Sequence, residues 1–98
     1  MRKNEQQLGD ILKFLFKGGD EKNLIMYYQT KIEQAWRKKM GTTIDRHTQD
    51  IVLKNKILYI KITSSSLKQE LVYSKDKIIE FANTTIGEKD YITQVVIM

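Results

Sequence analysis

The chain contains no cysteine and no proline in its 98 residues, and it has a single histidine and a single tryptophan. Without cysteine, disulfides and thiolate zinc sites are excluded. His47, with only Asp45 and Asp50 near it, is too small a donor set for a transition-metal site, which takes several nitrogen or sulfur ligands. No flanking GxSxG and no base make a nucleophile of Ser64 to Ser66, and with no catalytic constellation elsewhere an enzyme is not expected. Long apolar runs are missing as well: the longest, Leu24 to Tyr28, is far too short to span a bilayer. The start Met1-Arg2-Lys3-Asn4-Glu5 is not followed by the apolar stretch of a signal peptide. The expectation is a cytoplasmic protein with no metal, cofactor, membrane or small-molecule substrate.

What is present suits one folded domain over residues 1–98. A chain this short buries roughly 60–65% of its unfolded surface, enough for a modest core. Hydrophobic residues make up 41% and charged residues 30%, which places the chain among globular proteins. Net charge is +5. Between Lys31 and Lys77 eleven Lys/Arg face five Asp/Glu, whereas the rest of the chain is close to balance. A cationic surface of this kind suits a phosphate backbone or an acidic protein partner.

Periodicity divides the chain. Leu8, Ile11, Leu12, Leu15 and Phe16 predict a first helix over Glu5 to Lys17, ended by Gly18-Gly19. Asp20 is the expected N-cap of a second helix reaching about Met40, with Leu24, Tyr28, Ile32, Ala35, Trp36 and Met40 on its buried stripe and Gly41 at its C-terminal cap. Trp36 is expected in the core, its indole N–H needing one acceptor. Thr42 to Gln49 reads as an irregular polar segment anchored by Ile44, with His47 in a structural role. Ile51-Val52-Leu53 and Ile57 to Thr63 read as a hairpin around Lys54-Asn55-Lys56. In the second strand Leu58, Ile60 and Ile62 share one face, while Ile57, Tyr59, Lys61 and Thr63 share the other. Ser64-Ser65-Ser66 offers N-caps to a long third helix ending near Gly87, with a bend or a snorkelling side chain at Lys75. Tyr91 to Met98 reads as a last strand, able to lie parallel to a hairpin strand because a long helix precedes it. The order α-α-β-β-α-β gives an α+β domain, a three-stranded sheet packed by helices.

Trp36, Met40-Gly41, Ile44 and His47-Thr48, followed by Asn55, Leu58-x-Ile60-x-Ile62-x-Ser64, Glu70-Leu71 and Ile86-Gly87, resemble the signature of the DciA-like bacterial proteins, operators of the replicative DNA helicase. The likeness runs from about Leu24 to Ile97, and its compact form is similar to the short versions found in Bacteroidetes. It implies a KH-like domain, affinity for single-stranded DNA or another nucleic acid, and a role in loading the replicative helicase. The chain departs from the pattern in three respects. Lys56 stands at a turn position often held by glycine in the family. The basic extension of longer members is not expected after Met98, and the GxxG loop of true KH domains is absent.

The expected nucleic-acid surface comprises Arg37, Lys38, Lys39, Arg46, Lys54, Lys56, Lys61 and Lys68, acting on phosphates, with Tyr59 beside Lys61 for stacking on a base. For all of these to act together, folding has to bring them to one side. A protein adaptor docking an acidic partner through the same cations is the alternative, and an RNA-binding module is a third.

Overall fold

Alternating apolar residues in the second half of the chain build a sheet, and the computed structural model, which describes residues 21–98, shows three strands in the order β1-β2-β3. Helix α1 (Glu21–Lys39) leads into a short helix α2 (Gly41–His47) and then the hairpin of β1 (Thr48–Lys54) and β2 (Ile57–Ile62). Helices α3 (Ser65–Val72) and α4 (Lys75–Ile86) follow, and strand β3 (Gln94–Ile97) closes the order. Strand β2 is central, antiparallel to β1 and parallel to β3, so the helical crossover delivers the parallel pairing anticipated from the sequence. The domain is α+β, with four helices and a three-stranded sheet among the described residues. The helix expected over Glu5 to Lys17, its Gly18-Gly19 end and the Asp20 cap lie outside them.

One face of the sheet is the core. Leu58, Ile60 and Ile62 of β2 point the same way as Ile51 and Leu53 of β1 and Val95 of β3, and all are buried. Leu24, Tyr28, Ile32 and Trp36 of α1 cover them together with Ile78, Ala82 and Ile86 of α4. Each large apolar side chain removed from water in this layer contributes about 1.5–3 kcal/mol.

Two departures change the expected order to α-α-β-β-α-α-β over the described residues. The segment from Thr42, expected to be irregular, is helical to His47, and β1 begins at Thr48. Its Thr, Asp and His residues are weak helix formers, so local composition argues for a loop. Tertiary bonds decide otherwise: the Thr48 hydroxyl donates to the Ile44 carbonyl at 2.6 Å, and Arg37 holds Asp45. Gly41 still makes the break after α1, through φ of +91°. The second departure is the long third helix, which is two helices divided at Tyr73-Ser74 beside the anticipated Lys75. Ser74 N–H bonds the Leu71 carbonyl in a tight turn, and Ser74 then starts α4 by accepting from Ile78 N–H.

The remaining connections have local causes. Asn55 and Lys56 both have positive φ (53° and 65°), the conformation that a two-residue hairpin of this handedness demands. Gly87, with φ of 73°, ends α4 in a Schellman arrangement: Gly87 N–H bonds Thr84 O and Glu88 N–H bonds Asn83 O.

Candidate functional site

The conspicuous residues between Trp36 and Thr48 are occupied with the fold. Trp36 is fully buried, and its indole N–H donates to the Thr48 hydroxyl at 3.0 Å. That hydroxyl passes its own proton to Ile44 O, so one buried threonine joins α1, α2 and β1. Arg37 pairs with Asp45 at 2.6 Å and Glu33 at 3.4 Å. The hydrogen bond to Asp45 above all, opposed by partial burial, raises its pKa. Arg37, expected on the nucleic-acid surface, is therefore already held by two carboxylates and is not a free cation. His47 Nδ1 lies 3.0 Å from the Thr63 hydroxyl while its backbone carbonyl accepts from Thr63 N–H, which extends the hairpin pairing.

The other expected cations do not gather on one surface. The face of the sheet opposite the helices carries Val52 and Lys54 from β1, Ile57, Tyr59 and Lys61 from β2, and Gln94 and Val96 from β3. Tyr59 is at its centre, half-buried between its strand partners Val52 and Val96. Lys54 and Lys61 stand exposed on either side of it along the hairpin. Lys56 projects from the turn, its Nζ 5.7 Å from the centre of the Tyr91 ring. Lys61 lies across from Asp50, whose carboxylate accepts from Ile51 N–H and makes no ion pair with Lys61. Lys54, Lys56 and Lys61 have no carboxylate partner among the described residues.

Lys38 and Lys39 lie on the helical side instead. Lys38 borders a hollow with Lys31, Ala35 and Thr84 between α1 and α4. The Lys39 ammonium stands 5.5 Å from the centre of the Phe81 ring. Arg46 is exposed on α2, and Lys68 is half-buried on α3. The structure thus puts Lys54, Tyr59 and Lys61 on one sheet face, while Lys38 and Lys39 line hollows beside α4 and the Lys56 ammonium turns to Tyr91, which packs on buried Tyr28.

Neighbours that complete these surfaces were not singled out from sequence. Val52 and Val96 flank Tyr59 only through strand register. Lys77 and Phe81 of α4 meet Lys39 only because α4 packs along the end of α1. Two polar side chains behave as pieces of backbone: Gln29 accepts from Leu53 N–H at 2.9 Å, and buried Asn83 bonds both N–H and C=O of Ile92. Among the described residues no group of three His, Asp or Glu is placed to hold a metal ion.

Residues 7–97 match the family model described as Dna[CI] antecedent, DciA. No curated protein and no solved structure matches the chain.

Proposed function

The chain belongs to the DciA family, which is associated with loading of the replicative helicase, and on that premise we propose that it is a non-enzymatic, KH-like module holding single-stranded DNA on the open face of its sheet. One observation carries the reading. Tyr59, with Lys54 and Lys61 beside it, occupies a sheet face that no helix among the described residues covers. An aromatic ring takes the flat face of any base, and flanking ammonium groups take the phosphates, so the arrangement tolerates any sequence. The reading sets the domain in the cytoplasm with the replicative helicase. No helix among the described residues is long and apolar enough to cross a membrane.

Fluorescence anisotropy of the full chain with a labelled oligodeoxynucleotide tests it. The slope of log affinity against log salt should fall by about 1.4 in Lys54→Gln/Lys61→Gln, since each single-strand phosphate contact contributes roughly 0.7. Tyr59→Leu keeps the apolar contact with Val52 and Val96 and should cost about 1–3 kcal/mol of affinity. Unchanged binding in the combined variant rules this face out. An oligoribonucleotide of the same sequence binding more tightly would turn the reading toward RNA.

A further inference from the structure

The end of α1 and the break between α3 and α4 leave a groove of about 350 Å³ on the helical side of the molecule. Met40, Leu71, Ile78 and Phe81 make an apolar floor, and Lys39 and Lys77 stand at the rim. Lys39 is held over the Phe81 ring by cation–π attraction. Neither lysine has a carboxylate partner among the described residues. Glu80 lines the adjoining hollow along α4 and not this groove. At the helix break Val72 and Tyr73, in sequence between groove residues Leu71 and Ser74, are 43% and 86% exposed. None of these residues takes part in the DNA face proposed above.

We propose that this groove docks an amphipathic helix of a protein partner, one whose apolar anchors are flanked by carboxylates. The floor accepts large apolar side chains without leaving a polar group unpaired, as helix-in-groove recognition requires. A nucleobase there would bury polar edges with little to bond them, at a cost in free energy. Charge decides among helices: carboxylates beside the anchors meet Lys39 and Lys77, whereas a basic helix is repelled by them.

Two synthetic peptides of about 18 residues, roughly 27 Å of helix, provide the probe. Both carry Leu and Phe on one face, and they differ only in Glu or Lys at the flanking positions. With the full chain, the acidic peptide should bind in the micromolar range, and Lys39→Glu/Lys77→Glu should weaken it about tenfold. Lys77→Gln, a milder change at an exposed position, should shift it the same way and guards against a folding defect. Amide NMR shifts on titration should centre on Met40, Leu71, Ile78 and Phe81. Single-stranded DNA binding in the double variant should keep its dependence on Lys54 and Lys61, so failure of the groove and failure of the DNA face read out separately. Equal affinity for both peptides, indifference to the charge reversals, or displacement of the acidic peptide from the groove by an oligonucleotide would overturn the proposal.

Discussion

Thr48 shows how much one side chain carries. Its hydroxyl accepts from Trp36 and donates to Ile44, both inside the protein. Thr48→Val keeps the shape but orphans a buried indole N–H and a helix carbonyl, so stability should fall by about 2–3 kcal/mol. Thr48→Ser keeps the relay and loses one methyl, a cost of about 1 kcal/mol. Urea unfolding followed by Trp36 fluorescence distinguishes the two, and equal losses would remove the relay from the account. That Trp36 is a core residue was legible in its stripe with Tyr28 and Ile32. Its acceptor was not, because the partner is twelve positions away and becomes adjacent only when β1 folds back on α1. Arg37 is the converse case, since its charge alone gives no sign that Glu33 and Asp45 claim it. Because its folded pKa is raised, mainly by Asp45, the stability from its charged form is fully present below its unfolded pKa. It is lost only in strong alkali, so no change from Arg37 is expected across the neutral range.

At the scale of elements, two turn positions set the path of the chain. Gly41 has φ of +91°, and a Cβ built there would meet nothing within 4 Å. Gly41→Ala therefore acts through backbone conformation alone and should cost about 1 kcal/mol, read as a lower thermal midpoint. Lys56 is the opposite: a side chain in the left-handed region at the second position of the hairpin turn. Lys56→Gly should raise stability by about 0.5–1 kcal/mol, seen as a higher urea midpoint at unchanged slope. A lower midpoint would mean that the Lys56 contact with Tyr91 outweighs the strain. The hairpin turn around Asn55 and the faces of the sheet were legible from turn composition and strict alternation. Helix α2 was not, because its weak helix formers are held by Thr48 and Arg37 rather than by propensity. The α3–α4 break was only half legible: Lys75 marked the place, but the tight turn at Ser74 made it two helices.

For the whole molecule, the distribution of charge matters more than the net +5. The central stretch holds the surplus, yet folding sends Lys54 and Lys61 to the open face of the sheet and Lys38 and Lys39 toward the helical side. If Lys54 and Lys61 meet phosphates on the sheet, log affinity for single-stranded DNA should fall with log salt at a slope of about −1.4. Affinity would then drop about sevenfold between 50 and 200 mM salt. A much steeper slope would mean that cations of both sides wrap the strand, and the division into two surfaces would be wrong.

Period-2 and period-3.6 patterns and glycine turn chemistry were enough to determine the three strands, helix α1 and the buried faces, though not helix α2 or the α3–α4 division. The features so determined are properties of near neighbours along the chain. Tertiary structure alone decided which cations share a surface, which one is neutralised, and that a helix break opens an apolar groove. Such relations depend on side chains meeting across dozens of intervening residues, where strand register and helix crossing set the distances.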